Sequence, residues 1–208
     1  MAEPKQERAV KTREAILFAA AEVFDECGYS GASISKIMQR ADVTQGGMYF
    51  HFKSKRGLAL AVLQHQQEFV HFPDGGAGLQ RLVDLTFFIA HELQTNVLFR
   101  ASVRLAVEQG DFGVRDDTAY QEWVEQLYTH LCEARELGQL LPEVDERECA
   151  NVLVGAYSGT QVFSNIASGR VDLADRLVSM WRYVLPGIAT PKALAGVAMP
   201  RGTRRLAA

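Results

Sequence analysis

The sequence predicts an all-α protein in two parts. Apolar residues recur at spacings of three and four along most of the 208-residue chain. Strand-like alternation is nearly absent, and no Asn-Gly or Asp-Gly turn joins two alternating runs. Helix starts and stops also punctuate the chain in order: Ser33 and Thr44 stand where caps belong, Gly28 stops the first helix, and Asn96, Gly138, Gly169 and Pro186 separate the later ones. With 48% apolar and 23% charged residues, there is material for a packed core and no signature of disorder.

The first helix is expected from Glu7 to Cys27, with Ile16, Ala20, Val23 and Phe24 on one stripe and Gly28 as its stop. A compact unit follows. Ser33 caps a short helix whose Ile34, Ile37 and Met38 face inward; Ala41, Asp42 and Val43 make a tight turn; and Thr44 caps a second short helix, TQGGMYF. A longer helix is expected from Ser54 to His71, and FPDGGAG, Phe72 to Gly78, is the clearest break. Five more helices follow, over Leu79–Gln94, Val97–Gln109, Thr118–Leu137, Glu146–Ala167 and Leu173–Leu185. The expected division is 1–54, 55–186 and a flexible basic tail, 187–208.

Charge is unevenly spread. The net charge of -3 conceals +2 over residues 1–60, -8 over 61–200 and +3 from Arg201, Arg204 and Arg205. An acidic body between basic ends suits a protein that meets a polyanion with one end. The charged start lacks an apolar signal core and no run of about 18 apolar residues exists, so a cytoplasmic protein with no membrane partner is expected. Cys27, Cys132 and Cys149 have no metal-site spacing and read as reduced thiols. No metal or cofactor is expected, and no catalysis. His91-Glu92 begins like HExxH but Thr95 takes the second histidine's place, and in Gly155–Gly159 the serine sits one residue late for GxSxG.

Ile34 to Phe52 carries the function. Two short helices joined by a three-residue turn, braced by a long helix, have the plan of a helix-turn-helix. The second must start with small residues to enter the major groove of double-stranded operator DNA, and Thr44, Gln45, Gly46 and Gly47 supply them. Two glycines inside a helix cost about 1 kcal/mol each relative to Ala, a loss compensated if they permit close approach to phosphate. Gln45 can read an adenine edge. Tyr49 and His51 offer polar tips to phosphate oxygens, although Tyr49 and Phe50 also suit a core. Lys53, Lys55 and Arg56 follow, and Arg8, Lys11 and Arg13 stand where the first helix begins, in reach of phosphates or a minor groove. A constitutive architectural DNA binder is the competing reading; the acidic, aromatic-rich remainder, larger than dimerisation needs, speaks against it.

These residues resemble the DNA-binding domain of the tetracycline-repressor (TetR) family from Glu7 to Leu63. The marks are F-x-x-x-G-Y from Phe24, S-I-S-K-I from Ser33, V-T-x-G-x-x-Y-F-H-F from Val43, and K-x-x-L from Lys55. The resemblance implies an all-α homodimer, a small-molecule pocket in a C-terminal ligand-binding and dimerisation domain, and repression relieved by ligand. The whole chain is similar to the γ-butyrolactone autoregulator receptors of actinomycetes and their pseudo-receptor relatives. The carrying segments are R-A-S-V-R-L-A from Arg100, Trp123, G-x-Y-S-G-T-Q-V from Gly155 and W-x-x-V-L-P-G-I-A from Trp181. Those relatives usually carry a basic residue at Gln45 and Ala-Leu at Gly47-Met48, so a different operator sequence is expected.

The resemblance further implies that Trp123 covers a small apolar lactone-type effector, with Gln66 and Thr160 in hydrogen-bonding positions. A lactone has acceptors but no strong donor, which suits both groups. Phe88 and Phe163 are among the apolar residues that can line the cavity. Ala150, Leu153, Val154, Tyr157, Val178, Trp181 and Leu185 are candidate contacts across a two-fold axis. A γ-butyrolactone or butenolide-released repressor of secondary metabolism is the primary reading. A pseudo-receptor answering to another ligand, or to none, is the alternative.

Overall fold

The structure, a computed structural model, describes residues 5–69 and 75–200, with residues 5 and 65–69 as backbone only. Ten α-helices and no strand occur among the described residues: α1 Lys5–Gly31, α2 Ile34–Ala41, α3 Gln45–His51, α4 Lys55–Phe69, α5 Gly78–Thr95, α6 Val97–Val107, α7 Thr118–Glu136, α8 Glu146–Ser168, α9 Leu173–Ile188 and α10 Pro191–Gly196. A 3-10 turn, Gln109–Phe112, follows α6. None of these helices is long and apolar enough to cross a membrane. The first three residues of the expected break at Phe72–Gly78 lie outside the described residues, as do Arg201, Arg204 and Arg205.

The helices sort into two compact units. The first holds α1 to α4, α6 and the 3-10 turn; the second holds α5 and α7 to α10. The first unit therefore extends beyond residue 54, the expected boundary, because α6 packs against α1 and α4. Its core is Ile16, Ala20, Val23 and Phe24 of α1, Ile37 of α2, Met48 of α3, Leu58 and Val62 of α4, and Ala101 and Leu105 of α6.

The second unit closes around Leu79, Leu82 and Val83 of α5, Leu127 and Leu131 of α7, Ala150 and Leu153 of α8, and Trp181 and Leu185 of α9. Trp181 is fully buried, and its indole N–H donates to the Thr86 hydroxyl at 2.8 Å, which removes the penalty of an unpaired buried donor. Ala150, Leu153, Val154, Trp181 and Leu185 were candidates for contacts across a two-fold axis; all five are buried within this unit's own interior.

Residues 187–200 depart from the expected flexible tail. The last helical turn of α9 continues through Pro186 to Ile188, because Leu185, Ile188 and Ala189 remain buried and packing outweighs the lost backbone donor. Ala189 bridges to Leu140, the Thr190 N–H donates to the Gln139 carbonyl at 2.8 Å, and Ala198 N–H donates to the Gln80 side chain. The 3-10 turn and α10 were both missed. One starts with Gln-Gly and the other with Pro, which read as breakers in a sequence without tertiary context.

Where α8 turns into α9, Asp172 gathers Ser164 Oγ at 2.6 Å, Ser168 Oγ at 2.7 Å and Arg176 Nε at 2.7 Å. The two serine hydrogen bonds, with the Arg176 guanidinium behind them, hold its carboxyl down at about 2. A depressed carboxylate stabilises the fold above its unfolded value, near pH 4, and that contribution is lost as pH falls through about 2. Melting temperature measured from pH 5 downward is expected to fall less steeply in Asp172→Asn than in the wild type.

Candidate nucleic-acid interface and effector-binding residues

The reading helix is built by its caps. Ser33 Oγ accepts from Lys36 N–H at 3.2 Å to start α2, and Asp42 ends it in the left-handed region at φ 51° and ψ 48°. Asp tolerates that conformation better than most residues, so the turn to α3 stays tight. Thr44 Oγ1 accepts from Gly47 N–H at 3.2 Å and starts α3. Met48, fully buried, anchors the helix to the core. Thr44, Gln45, Gly46, Tyr49 and Phe50 then face outward together. Phe50 is 78% exposed, so it belongs to this surface rather than to the core. Its ring meets His51 edge-on at 5.0 Å, and His51 is half-buried at the helix end. A Cβ on Gly46 would meet nothing within 4 Å. The glycine thus answers no packing need inside the protein and leaves the helix start bare.

The flanking cations divide. Arg8 is exposed near the start of α1, and Lys11 is exposed with Glu7 at 3.4 Å. Lys53 and Arg56 are exposed beside α3. Lys55 is committed within the protein: its ammonium donates to the carbonyls of Tyr29 at 2.8 Å and Ala32 at 3.0 Å, and lies 4.3 Å from the Tyr29 ring centre. It compensates carbonyls at the C-terminal end of α1, where a cation is favoured, and ties α4 to that end.

The end of α1 is also gripped by α6. Gly28 interrupts α1 at φ 70° and ψ 179°. Beside it, Arg100 Nε pairs with the Asp25 carboxylate at 2.9 Å, and Arg104 Nη1 donates to the Asp25 carbonyl at 2.6 Å. Glu108 accepts from the Tyr29 N–H at 2.6 Å and from Arg104 Nε at 2.8 Å. Ser30 donates to Asp111 at 2.9 Å, and the Tyr29 ring packs on Phe112 at 4.6 Å. Sequence reasoning gave Arg100 and Arg104 no role. Their spacing with Glu108, one helical turn apart each time, was the available signal.

In the second unit the effector candidates scatter. Trp123 is half-buried against the core and Phe88 is half-buried on α5. The Thr160 hydroxyl donates to the Ala156 carbonyl at 2.7 Å, so its proton is spent on its own helix. Phe163 is 61% exposed, on the opposite face of α8 from Val154, with the Arg176 guanidinium 4.1 Å from its ring centre. It does not line the interior. Gln66 lies on α4, and its side chain is outside the described residues.

A capped, outward-facing short helix mounted on a buried methionine, with cations on both flanks, defines a DNA-binding regulator. Residues 16–62 match the family of bacterial regulatory proteins of the tetR type, and residues 76–190 match the tetracyclin repressor-like C-terminal domain. The chain belongs to the TetR family. It is 39% identical to the A-factor receptor protein of Streptomyces griseus over 98% of this chain and 73% of that protein. TylP of Streptomyces fradiae, a TetR regulator, superposes with a TM-score of 0.78 at 38% identity and covers 93% of both chains. Two further structures are each 30% identical and cover 91% of this chain and 94% of theirs. One is a gamma-butyrolactone receptor described as ArpA-like (TM-score 0.73), and the other is CprB of Streptomyces coelicolor in complex with its operator (TM-score 0.71). The chain is a TetR-type transcriptional repressor related to these receptors, and not an enzyme.

Proposed function

We propose that the protein is a cytoplasmic homodimer that represses by binding a palindromic operator through α3 and is released by a γ-butyrolactone or butenolide-type signalling molecule. The observation that carries this reading is the outward face of α3, where Thr44, Gln45, Gly46 and Tyr49 stand clear of the fold while Met48 holds the helix in place. The relatives support it: one is a gamma-butyrolactone receptor and another was solved with operator DNA. Gln45 reads a base edge, while Arg8, Lys11, Tyr49 and His51 position the backbone. Lys55 supports them by fixing the end of α1.

Two copies of α3 are needed to read a palindrome with half-sites about 34 Å apart, or a multiple of that spacing. The surface for pairing is the outer face of α8, where Val152, Phe163 and Ile166 are exposed along one stripe that includes Gly155 and Gly159; Tyr183 of α9 is 84% exposed. An apolar strip of this length on a single protomer is characteristic of an interface. Effector then favours a state in which α4 pivots and the two reading helices no longer match both half-sites. Clearing an operator requires the effector to discriminate between the two states by several kcal/mol.

Gln45→Ala is expected to relax sequence preference at one base pair per half-site, by about 1–3 kcal/mol. Arg8→Ala is expected to weaken all sites alike and to flatten the salt dependence by about one unit for each phosphate left unneutralised. Binding to a duplex pool at several salt concentrations distinguishes the two. Equal, sequence-independent losses from both variants would place the reader elsewhere.

A further inference from the structure

The inward face of α8 changes character halfway along. Ala150, Leu153 and Val154 are apolar and buried; one turn on, the same face presents Tyr157, Gln161 and Ser164. Gln161 and Ser164 are 4% and 0% exposed. Arg170, 8% exposed and held at φ 70° just past the end of α8, brings a permanent charge to the same region, with Nη2 3.4 Å from Gln161 Oε1. Ser164 is satisfied by Asp172, and the Arg170 carbonyl by Gln94 Nε2 at 2.8 Å. The Tyr157 hydroxyl is different: it is buried and has no hydrogen-bond partner among the described residues. Burial drives its acidity far below that of a free phenol, against a weaker opposing pull from Arg170, so the group remains a donor at any pH the cell meets. A helix that needed only packing there would do better with phenylalanine, since a buried donor without an acceptor is a standing penalty.

We propose that the Tyr157 hydroxyl is the polar anchor of the effector site, donating to a carbonyl or carboxylate oxygen of the bound molecule. This rests on the reading of the protein as effector-released. It assigns to Tyr157 the donor role expected of Thr160, whose own proton is given to Ala156. An effector with an oxygen acceptor at one end and an alkyl chain elsewhere fits an interior that is polar at Tyr157 and Gln161 and apolar at Leu153 and Val154.

The test compares wild type with Tyr157→Phe in calorimetric titrations against three probes of one skeleton. These are an α-hexyl-γ-butyrolactone, its ring-opened hydroxycarboxylate, and the hexyl-substituted tetrahydrofuran that lacks the carbonyl. Tyr157→Phe is expected to melt at or above the wild-type temperature and to lose about 5- to 100-fold in affinity for the lactone or the carboxylate. Its affinity for the tetrahydrofuran should match that of the wild type, since the lost partner is absent there too. The probe that loses more identifies the oxygen. No loss for either acyl probe, or an equal loss for the tetrahydrofuran, overturns the assignment while the effector reading stands. A wild type that binds none of the three overturns the effector reading, and the anchor with it.

Discussion

Phe163→Glu combined with Ile166→Glu is expected to leave a folded, helical monomer that has lost most of its operator affinity. Both residues are exposed on the protomer, at 61% and 78%, so neither charge disturbs the core. In the proposed dimer each glutamate meets its own copy or an apolar neighbour across the two-fold, where an unpaired charge cannot be solvated. The consequence for DNA follows from linkage. When two half-site readers are joined, the second binds at an effective concentration set by the dimer, and losing that advantage costs on the order of 10²- to 10⁴-fold in affinity. Sedimentation reads the mass, circular dichroism the fold, and anisotropy on a labelled duplex the affinity. A double variant that stays dimeric would move the interface off α8.

Gly28→Ala is expected to be the most damaging small substitution in the first unit. Its φ of 70° with ψ of 179° is a combination that only glycine visits readily, and forcing another residue there costs about 1–3 kcal/mol. The new Cβ would also fall 2.7 Å from both Glu108 carboxylate oxygens and 2.8 Å from Arg104 Nη2. Those atoms cannot simply swing away, because Glu108 holds the Tyr29 N–H and Arg104 holds the Asp25 carbonyl. Freeing either one leaves a half-buried polar group short of a partner, at about 1–3 kcal/mol more. A total of about 2–6 kcal/mol is a large share of a domain's stability. Denaturant melts check it. Adding Glu108→Ala should recover only the part due to the clash, because the backbone cost remains. If Gly28→Ala melts with the wild type, the kink is not held as described.

The local grammar of the first unit was legible because it is written in neighbouring residues. Ser33 and Thr44 cap the helices they precede, Gly28 interrupts the helix it was expected to stop, and Asp42 makes the turn. The grip of α6 on α1 was not legible: Arg104 meets the Asp25 carbonyl across a separation of 79 residues, and no periodicity encodes that distance. Pro186 misled because propensity is a weak prior beside the burial of Leu185 and Ile188. Tyr157, a candidate for a two-fold contact on sequence grounds, has its hydroxyl buried in the second unit. Its period along α8 places it on a stripe with Leu153 and Val154, but only the packing of α7 and α9 decides that this stripe faces inward and that Phe163 and Ile166 face out. In the sequence Lys55 is one more cation beside the reading helix; its two carbonyl partners lie 23 and 26 residues away and leave no local signal.

Chemical footprinting of the wild-type protein on a duplex selected from a random pool tests directly whether α3 is a paired major-groove reader. Two protected major-groove patches are expected on one face of the DNA, about 34 Å or a multiple of it apart, each blocked by methylation of guanine N7 and each weakened by Gln45→Ala. Protection confined to the minor groove, or a single unpaired patch indifferent to Gln45, would contradict it.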